Sequence, residues 1–148
     1  MRVLKTTVIV FLLVFIGVQF APIQLNKSNA TLKTDFIKTY NPPLEIRNIL
    51  KVSCYNCHSN NTDYPWYSYI QPAGMFLQSH IDEGKSELNF SEFDDYSSRM
   101  KKLKLNSIVN QLEDEEMPLP SYLIIHREAE LSTSERELLI LFINSLLK

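Results

Sequence analysis

Glycine is scarce in this chain: only three of the 148 residues are glycine, and alternating runs of valine and threonine are almost absent. Glycine-rich turns and alternating strands mark β-sandwiches and β-barrels, so their scarcity argues against those folds. The formal net charge of −2 comes without a stripe of lysine or arginine interleaved with aromatic residues, so no nucleic-acid partner is predicted. Acid–base pairs, nucleophile triads and phosphate-binding loops are also missing, and we therefore do not predict catalysis.

The N-terminus carries the one long uncharged apolar stretch. After Arg2 and Lys5 the chain has no charge over residues 6–26, and residues 8–18 are apolar throughout. This run fits the centre of a signal peptide and is shorter than the ~20 residues that span a bilayer, although the flanking residues extend it toward that length.

A cleavage site of small residues is missing, because Gln19 takes the −3 position for a cut after Ala21. We therefore predict that residues 1–23 are an uncleaved membrane anchor rather than a cleaved signal peptide. The basic start stays inside and the rest of the chain is exported. The predicted location is the periplasmic face of a bacterial inner membrane, or the periplasm itself if the segment is cleaved.

The rest of the chain divides into a polar linker, residues 24–40, and a domain, residues 41–148. Apolar residues in the domain recur at helical spacing, which predicts an all-α fold of four or five helices with two irregular loops. One predicted helix ends at Cys54, and another covers residues 72–86.

A longer helical stretch is predicted over residues 89–116, with a bend at Asn106. Its apolar seam consists of Phe93, Tyr96, Met100 and Leu103. The last helix is predicted to begin at a capping box of Ser132 and Glu135, in which each residue bonds to the backbone of the other.

Both cysteines and one of the three histidines lie within five residues, as Cys54-Tyr55-Asn56-Cys57-His58. In c-type haem proteins, two such thiols form thioether bonds to the vinyl groups of the porphyrin, and the adjacent histidine binds the iron. The spacing suits this use because the two bonds straddle the ring edge, and the next residue then lies beneath the metal. The motif predicts one covalent haem c per chain, attached at Cys54 and Cys57, with His58 as iron ligand.

Two other chemistries use closely spaced cysteines. A zinc site would take Cys54 and Cys57 as two of its four ligands, but the remaining histidines, His80 and His126, are isolated in the sequence. A redox-active dithiol usually belongs to an alternating strand–helix pattern, which this chain lacks. Zinc and a dithiol or structural disulfide remain alternatives, and haem fits an exported all-α chain best.

The second axial ligand of the iron is predicted to be Met117. This methionine lies in a proline-containing loop before the final helix, whereas Met75 and Met100 lie on apolar helical stripes, where core packing is the default. The block from Met117 to the last helix resembles the C-terminal part of class I c-type cytochromes, in which a loop methionine faces the iron. His80 is the alternative ligand, because it shares an apolar stripe with Phe76; its other interpretation is a core histidine or a partner of a haem propionate.

Aromatic residues crowd the segment that follows the motif, residues 64–70. Tyr64 and Trp66 are predicted to contact the haem, and filling of the core is the alternative interpretation of both.

Three stretches carry a family resemblance: "CYNCHSNNTDYPWYSYIQP", "HIDEGKSELNFSEF" and "EMPLPSYLIIHREAELSTSERELL". Together they resemble the small bacterial haem-binding domain, a cytochrome-c-like family common in Bacteroidetes. The resemblance covers about residues 40–148, and the hydrophobic start is similar to the N-terminal anchor of that group. It implies haem binding in a cytochrome-c-like helical bundle around a covalently attached haem, and it leaves the biological role open.

The predicted function is that of a membrane-tethered, periplasm-facing electron carrier, because an iron with two protein ligands needs only a redox partner protein and no substrate. The sequence does not identify that partner. The alternatives are a haem-based sensor or peroxidase-like module with a labile sixth ligand and, from another class, a zinc-binding or disulfide-stabilised interaction domain.

Overall fold

The computed structural model describes residues 1–28 and 30–148, and over these residues the chain is helical without a β-strand. The predicted all-α class is confirmed. The described part of the chain contains eight α-helices. Six of them lie in the predicted domain, residues 41–148, rather than the predicted four or five, because two of these six have only four residues. The eight are α1 Arg2–Val18, α2 Phe36–Tyr40, α3 Leu44–Ser53, α4 Tyr55–His58, α5 Ala73–Glu87, α6 Ser98–Glu113, α7 Pro120–Leu123 and α8 Thr133–Leu146.

The hydrophobic core lies where α2, α3, α6 and α8 meet a 3-10 helix, Phe90–Asp95. Phe36 on α2 is fully buried, and its ring centroid lies 4.9 Å from that of Phe93 and 5.3 Å from that of Phe90, both edge-on. Leu139 and Ile143 on α8 are also fully buried. Edge-on aromatic pairs add to the stabilisation that burial alone provides.

Helix α2 lies inside the segment that the sequence predicts to be a linker. The Asp35 carboxylate caps this helix by accepting a hydrogen bond from the Lys38 backbone N–H at 3.2 Å. Its first residue, Phe36, belongs to the core. Further back, the Asn26 side-chain amide donates to the Ser59 carbonyl oxygen at 2.7 Å. Much of residues 24–40 is therefore attached to the domain instead of extending freely from it.

Helix α1 has no buried residue. It is 17 residues long, and no helix within the described ranges has the length and apolar character needed to cross a membrane. The hydrophobic helix predicted at the N-terminus is present, whereas its role as a membrane anchor stays a prediction.

The predicted long helical stretch over residues 89–116 is divided in two. Its first part forms the 3-10 helix Phe90–Asp95, and α6 then begins after Ser97, whose hydroxyl accepts a hydrogen bond from the Met100 backbone N–H at 3.3 Å. Helix α6 continues without interruption through Asn106, where the sequence predicts a bend. The capping box at Ser132 and Glu135 is confirmed.

Candidate cofactor-binding site

The Cys54–His58 motif forms a single helical turn at a junction between two helices. Helix α3 ends at Ser53, and Cys54, which follows as its C-cap, has a non-helical backbone with φ −126° and ψ −46°. Helix α4 starts at the next residue. The Cys54 carbonyl oxygen accepts hydrogen bonds from the backbone N–H groups of Cys57 and His58, at 3.2 and 3.0 Å. Residues three and four apart share a helix face, so the two thiols and the imidazole lie on one side of this turn.

The two thiols are free and partly buried. Burial, with a smaller contribution from Cys57, raises the pKa of Cys54 to about 12. Burial raises the pKa of Cys57 as well. Both groups are therefore protonated at neutral pH, the opposite of the activated thiolate that a redox dithiol requires.

A search for clustered metal-binding side chains tests the zinc alternative. Over residues 1–28 and 30–148, no three His, Cys, Asp or Glu side chains are grouped so that they could hold a metal ion. A structural zinc site uses four such ligands, and the described residues bring no third one to Cys54 and Cys57.

His58 is oriented by the backbone of the segment that follows α5. Its Nδ1 donates a hydrogen bond to the Leu88 carbonyl oxygen, 3.1 Å away, because a carbonyl oxygen can only accept. Burial lowers the pKa of His58, and hydrogen bonds to the backbone at Leu88 and Gly84 partly oppose this shift. A neutral imidazole with Nδ1–H engaged keeps its Nε2 lone pair for a metal, which is the usual arrangement of a metal-binding histidine.

Gly84 allows α5 to approach the motif closely. A Cβ atom at this position would lie 3.1 Å from the Cys57 carbonyl oxygen and 3.4 Å from Cε1 of His58. The 3.1 Å contact is tighter than ordinary packing, so glycine lets α5 lie against the motif turn without displacing the Cys57 carbonyl group.

Three neighbouring cavities border the motif. The Cys54 cavity, of about 470 Å³, is lined by Cys54 and His58, and the Cys57 cavity, of about 220 Å³, by Cys57 and His58. The aromatic cavity, of about 300 Å³, adjoins Cys57 and Trp66. These volumes are in the range of small-molecule sites, roughly 300–1,000 Å³, once the first two are taken together. The Cys54 and Cys57 cavities share five lining residues: Ser53, His58, Glu87, Met117 and Pro118.

The wall of the Cys54 cavity is mostly apolar. Met100 and Leu103, predicted as members of a core seam, are partly exposed and line this cavity instead. The lining also includes an ion pair: Lys104 Nζ lies 3.9 Å from a carboxylate oxygen of Glu87. An apolar cavity with a few charged groups suits a flat apolar ligand that carries charged substituents.

Met117 lines the same two cavities as His58. Its loop starts at the C-terminus of α6, where Glu115 adopts a left-handed conformation with φ 57°. The backbone N–H groups of Glu116 and Glu115 donate to the carbonyl oxygens of Gln111 and Leu112, at 3.0 and 3.3 Å. This is the pair of hydrogen bonds of a Schellman motif, which ends a helix in a defined direction and so determines where the Met117 loop begins.

Arg136 on α8 holds the same helix end. Its Nη1 donates to the Leu112 carbonyl oxygen at 2.9 Å, and its Nε lies 3.9 Å from the Glu115 carboxylate. A cation at a helix C-terminus is favourable because it faces the negative end of the helix dipole. The position of the Met117 loop thus depends on α6 and α8 together.

Two other predicted site residues, His80 and Trp66, line the cavities beside Cys57. His80 lines both the Cys57 cavity and the aromatic cavity, and its Nδ1 donates to the Phe76 carbonyl oxygen at 2.8 Å. Trp66 lines the aromatic cavity together with Cys57. Haem contact by Trp66 and iron ligation by Met117 or His80 stay predictions.

Tyr64 is not among the residues that line these three cavities. Its hydroxyl donates to Gln78 at 2.9 Å and accepts from the Asn26 backbone N–H at 2.7 Å. It therefore joins the N-terminal segment to α5, and this position gives its predicted haem contact no support.

A hydrogen-bonded chain beside the aromatic cavity was not foreseen from the sequence. The Tyr67 hydroxyl lies 2.7 Å from Nε2 of His126, and Nδ1 of His126 lies 3.0 Å from the Glu128 carboxylate. The Tyr122 ring stacks on His126 at a centroid distance of 4.2 Å. Tyr67 and His126 are 59 positions apart, so no local pattern could have paired them.

Comparison with known proteins adds one match. A family model described as a haem-binding domain matches residues 13–145. No curated protein and no solved structure matches the chain.

Proposed function

The chain belongs to the family of haem-binding domains, and we propose that it is a c-type haem protein that carries electrons. The observation that supports this best is the shared lining of the two cavities beside the motif. His58 and Met117 border both of them, while Cys54 borders one and Cys57 the other.

The thiols are proposed to attach the haem covalently. Cys54 and Cys57 are free, and their raised pKa values keep them protonated until they react. Because each thiol borders a different cavity, the pair flanks the space in which a flat ring would be held. This arrangement supports two thioether bonds at the spacing that the motif requires.

His58 and Met117 are proposed as the two side chains that would hold the haem iron. The hydrogen bond from His58 Nδ1 to Leu88 fixes the tautomer and the ring, so that Nε2 is the ligating atom. When bound, haem supplies a one-electron iron couple whose potential a thioether ligand raises. If His58 and Met117 both bound the iron, no open position would remain for a substrate, and the protein would act as an electron carrier rather than as a sensor or a peroxidase-like module.

The N-terminal helix is proposed to direct export to the periplasmic side of the inner membrane. Arg2 and Lys5 precede an uncharged segment, and the side chains of α1 are exposed over most of its length. A basic start followed by an apolar run is the pattern that export machinery recognises. Export would bring the thiols to the compartment in which the proposed redox partner is also expected.

The covalent bond is the most direct test. The full chain would be produced in a bacterium with haem-ligation machinery, extracted with acid–acetone and measured by intact-mass spectrometry. We expect the mass of the polypeptide plus one haem, and the bare polypeptide mass for the double variant Cys54→Ala/Cys57→Ala. The bare polypeptide mass for the wild-type chain would overturn the proposal.

A further inference from the structure

We propose that the face around the aromatic cavity rests on a lipid surface, with anionic headgroups as its polar contact. Two segments form this face, residues 64–81 and residues 117–125, and neither contains Asp, Glu, Lys or Arg. Side chains from both segments line the aromatic cavity. Trp66 is 76% exposed, Phe76 61% and Ile125 63%. Contiguous apolar surface of this kind is rare on a protein that has no partner for it.

The N-terminal helix leaves the domain beside this face. Gln19, next to the end of α1, makes two reciprocal hydrogen bonds with Gln71: its Nε2 donates to the Gln71 carbonyl oxygen at 3.0 Å, and its Oε1 accepts from the Gln71 backbone N–H at 2.9 Å. Ile23 packs at Gly74, where a Cβ atom would lie 2.7 Å from Ile23 Cδ1. Three uncharged segments, residues 6–26, 64–81 and 117–125, therefore meet on one side of the molecule, and the first of them contains most of α1.

The composition of the face favours lipid over a protein partner. Tryptophan and tyrosine are enriched where proteins meet the membrane–water interface, and Trp66 and Tyr69 supply both. Lys27, in the segment that follows α1, has its Nζ 5.7 Å from the centroid of the Tyr64 ring, at the start of the face. A lysine next to an apolar surface is attracted by anionic headgroups, so the charge and the apolar area agree on one occupant.

This inference rests on the proposed export, and it adds which side of the domain faces the membrane. The aromatic cavity and the Cys57 side of the motif are turned toward lipid, while α6 and α8 are turned away.

Cysteine labelling in vesicles tests the orientation. The haem-loaded full chain with Tyr69→Cys, and separately with Leu141→Cys on α8, would be reconstituted in vesicles of phosphatidylcholine and phosphatidylglycerol. The two native side chains have similar exposure, 59% and 69%, so a water-soluble maleimide should label both at similar rates in the absence of lipid. We expect Tyr69→Cys to be labelled several-fold more slowly than Leu141→Cys in vesicles, and Ile70→Cys to behave like Tyr69→Cys.

Equal labelling rates in vesicles, after normalisation to the unfolded chain, would overturn the inference. Tyr69→Cys could also be labelled slowly without vesicles, and the slow labelling could disappear when the protein is diluted. This result would assign the face to a second copy of the chain and would also overturn the inference. Peptide mapping keeps the two proposals separate: label on Cys54 and Cys57 counts against haem attachment, whereas the comparison of positions 69 and 141 concerns only the lipid contact.

Discussion

Cys54 and Cys57 lie one helical turn apart, yet they adjoin two differently built halves of the molecule. Cys54 packs against the core cluster that contains Phe36 and Phe93, and the Cys54 cavity beside it is lined partly by members of that cluster, such as Leu50 and Leu139. Cys57 borders the Cys57 cavity and the aromatic cavity, where large apolar side chains such as Trp66 remain exposed. The motif turn therefore joins two halves: a packed half, which contains the core cluster and is bordered by the Cys54 cavity, and an open half with exposed apolar surface.

This difference separates the origin of stability from the origin of function. Fully buried apolar side chains supply most of the free energy of folding, and they lie in the packed half. The exposed apolar side chains contribute little to folding, but they are available to a cofactor and to a lipid surface. We expect substitutions in the first half to unfold the protein, and substitutions in the second to change what it binds.

The largest effect is expected for Phe93→Ala. Phe93 is fully buried, so its truncation leaves a cavity, and we expect the free energy of unfolding to fall by about 3–5 kcal/mol. Phe76→Ala is the matched control, because the same side chain is mostly exposed there and its loss should cost less than about 1 kcal/mol. Urea unfolding followed by circular dichroism measures both. Equal losses would contradict the division into a packed and an open half.

A smaller but clear loss is expected for Gly74→Ala. The new Cβ atom would overlap the backbone carbonyl oxygen of Ser68, and it would press on Ile23. Overpacking of this kind costs roughly 1–3 kcal/mol, and here the rigid backbone of the 3-10 helix Trp66–Tyr69 places the cost at the upper end. Gly84→Ala is the graded comparison, since its nearest contact is 3.1 Å and less movement is required. Thermal unfolding of both variants measures the difference. If Gly84→Ala is the more destabilised of the two, the close packing at Gly74 does not hold α5 against the N-terminal segment.

The next substitution, Met117→Ala, should change the iron ligand while leaving the fold intact. A ferric c-type haem with a methionine ligand shows a weak long-wavelength sulfur-to-iron band, and we expect this band to vanish in Met117→Ala. Met100→Ala is the matched control, because Met100 lines the Cys54 cavity with His58 and Met117 but not the Cys57 cavity. Circular dichroism should show both variants folded.

Two outcomes would contradict methionine ligation. If the band is missing from the wild-type protein and carbon monoxide binds quickly, the sixth position is labile and the sensor or peroxidase-like function gains support. If instead the spectrum changes only in His80→Ala, the alternative ligand His80 takes the position, and the two imidazoles would lower the reduction potential.

Local patterns predicted much of the structure. The capping box at Ser132 and the helix end at Cys54 depend on residues a few positions apart, so the sequence contains the whole signal. The five residues of the haem motif are also contiguous.

What the patterns could not predict depends on distant contacts. Met100 and Leu105 both fit an apolar helical period, yet Leu105 is buried in the core and Met100 lines a cavity, because the position of α8 against α6 decides which side of α6 is buried. Helix α2 has five residues, too few for a periodic signal, and it exists because Phe36 is held in the core. The pairing of Tyr67 with His126 likewise arises only in the folded chain.

The smallest expected effect is a gain in stability, in Glu115→Gly. A backbone with φ 57° is strained in any residue that carries a Cβ atom, and glycine is the preferred residue at this position of a Schellman motif. The ion pair that would be lost, Glu115 with Arg136 at 3.9 Å, joins a mostly exposed carboxylate and contributes little. We expect the free energy of unfolding to rise by about 1 kcal/mol, measured by urea unfolding.

The same change at Glu113 is the control for Glu115→Gly. Glu113 is the last residue of α6 and has a helical backbone, so Glu113→Gly should lower the free energy of unfolding, by up to about 1 kcal/mol. Opposite signs at positions two residues apart would show that the backbone, rather than the carboxylate, ends α6 at this point. Met117 lies two residues after Glu115. Because glycine adopts the same backbone conformation at position 115, the Met117 loop should keep its direction, and the ferric sulfur-to-iron band should survive in Glu115→Gly. Destabilisation of this variant together with loss of the band would mean that the Glu115 side chain itself holds the Met117 loop.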